Sequence, residues 1–164
     1  MTLVIGLGKA GCNIAKYFGR YPQYDILSID IEDNNYENFR RYPSFTNHND
    51  YDSYKPELEF DNNSSDVIFI TSGAGRISGA SLRILELLKG RSITILYIKP
   101  DLEILSKAAK LRERLTFHVL QQYTRSGVFS RMVVIGNAAV ENVVGDVPIN
   151  KYWDKINETI ASTF

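Results

Sequence analysis

The stretch that most restricts how this chain can fold is its start, where Leu3-Val4-Ile5 runs into Gly6-Leu7-Gly8-Lys9-Ala10-Gly11 and then Cys12-Asn13-Ile14-Ala15-Lys16-Tyr17-Phe18. A short apolar strand that breaks on spaced glycines and resumes as a helix aims a row of free backbone N–H groups at one spot. Phosphate is the usual occupant of such a spot. Nucleotide binding is therefore the first expectation. Glycine-rich turns also let helix and strand pack closely in doubly wound folds that bind nothing, so the spacing has a purely structural reading too.

Short apolar runs recur along the chain in the order of a parallel sheet with helical crossovers. Strands are expected at Thr2 to Ile5, Tyr24 to Asp30, Val67 to Thr71, Ser92 to Lys99 and Arg131 to Gly136. Helices are expected from Gly11 to Gly19, from Leu82 to Lys89 with Gly90 as C-cap, over Asp101 to Tyr123 in one or two pieces, and over Ile149 to Ile160. The segment from Asn34 to Ser65, crowded with Asn, Asp, Tyr, Pro and Ser, reads as an irregular polar insertion with room for a short strand or a turn of helix. The fold class expected is α/β: an open, mostly parallel, doubly wound sheet of about five strands with helices on both faces. Asp30, with Ile31-Glu32-Asp33 behind it, stands where such a fold reads a sugar or base.

At 164 residues and 44% hydrophobic, the chain reads as one domain spanning 1–164. Nineteen basic and nineteen acidic residues cancel, which leaves no long-range attraction for nucleic acid or anionic membrane. Lys107, Lys110, Arg112, Arg114, Arg125 and Arg131 are interrupted by Glu103 and Glu113, so nucleic-acid binding is not expected. Neither a signal peptide nor a membrane-length apolar run is visible, and a soluble, cytoplasmic protein is expected. Cys12 is the one cysteine; at a helix N-terminus it is either an acidified thiol or a small packing residue. Tyr36, Phe39, Tyr42, Phe45, Tyr51 and Tyr54 crowd the polar insertion, where they either face another protein or pin the insertion to its own domain.

A second glycine turn follows the Val67 strand: Ser72-Gly73-Ala74-Gly75-Arg76-Ile77-Ser78-Gly79-Ala80-Ser81. The two turns should share one edge of the sheet and pinch a polyphosphate between them, with Gly75, Ser78 and Gly79 as contacts. Arg76 reads either as a phosphate-binding fork or as a side chain that fills the cleft in place of a nucleotide. No glycine-lysine-serine/threonine ending of the kind a P-loop requires is present, so a P-loop enzyme is not expected. Gly6, Gly8 and Gly11, with Asp30 closing the second strand, also have the opening spacing of a dinucleotide fold, although that fold has no need of the second glycine turn.

These motifs, taken in order, resemble the N-terminal nucleotide-binding domain of the tubulin family, particularly its bacterial cell-division branch. Gly6 to Asn13 resembles the family's first phosphate loop, Ser28 to Asp33 its second-strand turn, and Ser72 to Gly79 its glycine-threonine-glycine signature loop. The similarity continues through Ile98-Lys99-Pro100, Val134-Ile135-Gly136-Asn137 and Asp146-Val147-Pro148-Ile149, and so covers nearly the whole chain. The resemblance implies GTP or GDP, with Mg2+ only alongside the nucleotide. It places Gly8, Lys9, Ala10, Gly11, Asn13, Gly73, Gly75, Arg76, Ser78, Gly79 and Asn137 on phosphates or base, and Asp30 near the ribose.

Two departures qualify it. Arg76 and Ile77 stand where the family has consecutive glycines, and β-branched Ile77 is ill suited to positive φ, so the loop must take another path or accept fewer phosphates. The sequence also ends before the family's central helix, its water-activating loop and its C-terminal activation domain. GTP hydrolysis by this chain alone is therefore not expected. The function implied is a guanine-nucleotide-binding subunit that assembles with itself or with other protein subunits. The alternative is a non-catalytic structural or interaction protein with a degenerate nucleotide cleft.

Overall fold

A computed structural model describes residues 2–60 and 65–136. The expectations for Asn137, for Asp146 to Ile149 and for a helix from Ile149 to Ile160 fall outside these residues. Among the described residues, six strands form one sheet: β1 (Thr2–Leu7), β2 (Tyr24–Asp30), β3 (Phe39–Arg41), β4 (Asp66–Thr71), β5 (Ser92–Lys99) and β6 (Arg131–Gly136). Their spatial order is β3-β2-β1-β4-β5-β6, and every pairing is parallel. The helices are α1 (Gly8–Phe18), α2 (His48–Ser53), α3 (Ser81–Glu86) and α4 (Lys107–Arg125).

Parallel strands need both faces covered, and the alternation of side chains along each strand sorts them into two cores. Val4, Ile26, Ile68, Ile70, Leu96 and Ile98 pack with Ile14, Ala15, Tyr17 and Phe18 of α1. On the opposite face Ile5, Ile29, Phe69, Ile95 and Tyr97 pack with Ile84 and Leu85 of α3 and Leu120 of α4. The sheet therefore has helices on both faces, as expected, with one strand more than the sequence suggested. The additional strand is β3, three residues long and set inside the polar insertion.

The insertion is held to its own domain. Tyr42 and Tyr51 are buried, with ring centroids 6.2 Å apart. The Phe45 ring meets Tyr51 edge-on at 5.0 Å, and the Phe45 N–H donates to the Tyr51 hydroxyl at 2.9 Å. Aromatic area buried in this way anchors a segment that is otherwise hydrophilic.

Three boundaries differ from expectation. β1 continues to Leu7 and α1 begins at Gly8, so strand passes into helix with no intervening loop. The helix expected to reach Lys89 ends at Glu86 and is preceded by a 3-10 turn over Arg76–Ala80. The stretch after Pro100 is in two pieces, one of the two expected forms, but runs on past Tyr123 to Arg125: a 3-10 turn at Leu102–Ile104, then α4, whose N-cap Ser106 accepts the Ala109 N–H at 3.2 Å.

Candidate functional site at the carboxyl edge of β1 and β4

The strand order reverses between β1 and β4: the chain leaves β1 toward β2 and β3, then crosses back to β4. In open α/β sheets the crevice beyond the carboxyl ends of such strands is where ligands bind. Three glycines shape the β1–α1 junction there. A Cβ on Gly6 would stand 2.5 Å from the Gly11 carbonyl oxygen, and one on Gly11 would collide with the Ile70 carbonyl oxygen, so both are needed to seat α1 on β1 and β4. Gly8 has φ +74°, a conformation that glycine adopts without strain, and it opens the helix.

The N-terminus of α1 is uncapped. Leu7 occupies the N-cap position without a side-chain hydrogen bond, no acidic residue lies in the first turn, and Lys16 stands in the last. The helix dipole and the first amides are thus left to whatever approaches from the crevice. Lys9 and Ala10 are exposed there, Gly8 and Gly11 are buried, and Asn13 is half-buried one turn further on.

Cys12 is a packing residue and not an acidified nucleophile. Its thiol is buried 3.3 Å from the Gly6 carbonyl oxygen and 3.4 Å from that of Ile29. Burial, with a contribution from the Asp30 carboxylate, pushes its pKa up to about 12, which outweighs the acidifying effect of the helix end. Asp30 is half-buried at the end of β2, and its carboxylate accepts the Ile31 N–H at 2.8 Å. Burial raises its pKa, Glu32 adds to the rise, and the Ile31 N–H and Lys9 oppose it. The buried Tyr36 ring closes this side. Its phenol accepts from the Asn34 side chain at 3.3 Å and interacts electrostatically with Cys12 and Asp30.

The second glycine turn reaches the same place but is built differently. A Cβ on Gly8 would lie 3.1 Å from Ile77 Cγ2, so the two turns touch. The segment Arg76–Ala80 coils into a 3-10 turn, and none of its residues has positive φ. Ile77 thus stays out of the positive-φ region that its β-branched side chain disfavours. The Ser78 hydroxyl donates to the Gly75 carbonyl oxygen at 2.6 Å or that of Gly73 at 3.0 Å, and its amide donates to Gly75 at 3.1 Å. Ser78, expected on phosphate, is buried with both donors engaged inside its own loop. Gly73 is a close-packing position, since a Cβ there would collide with the Tyr97 hydroxyl.

Helix α4 fastens this loop from behind. The Arg112 guanidinium donates to the Ala74 carbonyl oxygen at 3.0 Å. The Tyr97 phenol donates to the buried Glu113 carboxylate at 3.0 Å. Glu113 is turned inward and does not interrupt the basic face of α4, as its place in the sequence had suggested. Gly75 is exposed with open space where a Cβ would be, and Gly79 is half-buried. Arg76 is exposed and has no hydrogen-bond or ion-pair partner among the described residues; the side chain lying against Gly8 is Ile77. Tyr36 and Ile77 are the two residues of this site that motif spacing did not single out as contacts.

No protein-family model matches the chain, and no curated protein does. Among the described residues there is no group of three or more His, Cys, Asp or Glu side chains able to hold a metal ion, and no helix long and apolar enough to cross a membrane.

Proposed function

We propose that this chain is a tubulin-like nucleotide-binding subunit that holds GTP or GDP at the start of α1 and works within a protein assembly without hydrolysing the nucleotide by itself. The observation that carries this reading is the uncapped N-terminus of α1, opened by Gly8 at φ +74° at the edge where the strand order reverses. A Cβ at Gly8 would narrow the space that a phosphate needs for close approach. The amides of Gly8, Lys9 and Ala10 would donate to phosphate oxygens, with Gly11 keeping the helix close beneath them, Asp30 would accept from ribose hydroxyls, and Asn13 would reach the base. Guanine as that base, and a tubulin-type domain, rest on the resemblance in motif order. Mg2+ would enter bound to the phosphates.

The second glycine turn acts in this reading as a wall, with exposed Arg76 as the cation able to swing onto phosphate. One observation favours the alternative, an assembly subunit with a degenerate cleft: Ile77 packs on Gly8 and Ser78 turns its donors inward. Calorimetric titration with GTP, GDP and NAD, on the natural chain and on Arg76→Ala, separates the cases. Micromolar or tighter GTP or GDP binding, weakened in Arg76→Ala, supports the proposal. Absence of binding favours the degenerate cleft. Binding of NAD alone would make the site a dinucleotide site, for which the strand order is also suited.

A further inference from the structure

A pocket lies at the opposite edge of the sheet, where α3 and α4 end around the start of β5. It encloses about 450 Å3 between Leu82, Leu85, Ile93, Tyr123, Val128 and Phe129, a volume within the usual span of small-molecule sites. Val128 and Tyr123 leave much of their apolar surface uncovered at its mouth. The turn at Gly90, with φ +93°, brings Lys89 and Arg91 to the same pocket.

Arg91 is the informative residue. It is partly exposed and lines the pocket, yet its Nη1 is shut off from water and has no hydrogen-bond partner among the described residues. An unpaired donor on a charged group is costly and calls for an acceptor. Glu86, the one carboxylate among the lining residues, is held by the Arg83 guanidinium at 2.8 Å. An incoming anion therefore meets two cations and a carboxylate that is already paired.

We propose that this pocket binds a small amphiphilic carboxylate, an acid with a medium-length aliphatic or aryl-alkyl body. Its apolar body packs on Leu85, Ile93 and Phe129, and its carboxylate accepts from the Arg91 guanidinium after a turn about the last side-chain torsion. Lys89 adds positive charge at the rim. The site lies apart from α1, so its occupancy does not depend on the nucleotide reading.

Octanoate and 1-octanol, which share a chain length and differ in charge, are the probes. Calorimetry should show octanoate binding the natural chain with a sub-millimolar Kd and octanol binding about tenfold more weakly. Arg91→Met should weaken octanoate about tenfold and leave octanol unchanged. Amide NMR on the natural chain, which needs no variant, should place octanoate-induced shifts at Gly90, Arg91 and Phe129. Equal binding of the two probes, no binding of octanoate, or shifts confined to other residues would overturn the proposal.

Discussion

The two glycine turns at the carboxyl edge have similar compositions and opposite uses. In the first, Gly6 on β1 and Gly11 within α1 let the helix sit close to β1 and β4, and the helix begins with no side-chain cap on its first amides. In the second, the donors of Ser78 are absorbed by the carbonyls of Gly73 and Gly75, Arg112 ties down Ala74, and the loop presents Ile77 to its neighbour. Glycine content alone does not distinguish a loop that offers amides from one that engages them internally. Both following helices lack a side-chain cap, and what distinguishes the turns is that α3 is preceded by a self-bonded 3-10 turn whereas α1 follows β1 directly.

The largest effect that can test this contrast is expected at Gly11. Gly11→Ala drives a methyl into the Ile70 carbonyl and should cost about 3 kcal/mol or more in urea unfolding, whereas Gly75→Ala, with open space around it, should change stability by no more than about 0.5 kcal/mol. Comparable losses at both positions would remove the distinction between the turns.

Ile77→Ala should cost about 2–4 kcal/mol, because Ile77 belongs to the core of the α3–α4 face. The same change clears space above Gly8, so nucleotide affinity should hold or rise; a fall would mean that Ile77 is a contact and not an obstruction. Gly8→Ala should cost about 1–2 kcal/mol through its φ of +74° and lower GDP affinity at least about tenfold, as read by calorimetry.

A smaller effect is expected from Cys12, whose folded pKa lies near 12 against an ordinary 9.0. The unfolded chain releases this proton first. Its contribution to stability is therefore complete below about pH 9 and lost as pH rises from 9 toward 12. Urea midpoints should fall across that interval more in the natural chain than in Cys12→Ala. Iodoacetamide should label the thiol only after unfolding.

Much of this arrangement was legible beforehand because it depends on local pattern. The β2 strand from Tyr24 to Asp30, the run from Ser92 to Lys99, and the strand-glycine-helix opening follow from apolar runs bounded by glycine, proline and acidic residues. The short strand β3 was not legible, since Phe39-Arg40-Arg41 has no alternation long enough to register and is placed by pairing with Ser28 to Asp30. Nor was the inward turn of Glu113: a glutamate in a basic helix reads as surface, and only the partner Tyr97 on β5 explains its burial. The internal bonding of Ser78 was hidden for a related reason. A serine beside glycines looks available for phosphate, but the sequence carries no sign that the loop's own carbonyls lie closer.

Amide NMR during a GDP titration tests the central claim most directly. The account predicts large shifts for the N–H groups of Gly8, Lys9 and Ala10, with little change at Ser78, whose amide remains bonded to Gly75. Unchanged resonances from Gly8 to Ala10 at millimolar GDP would contradict it.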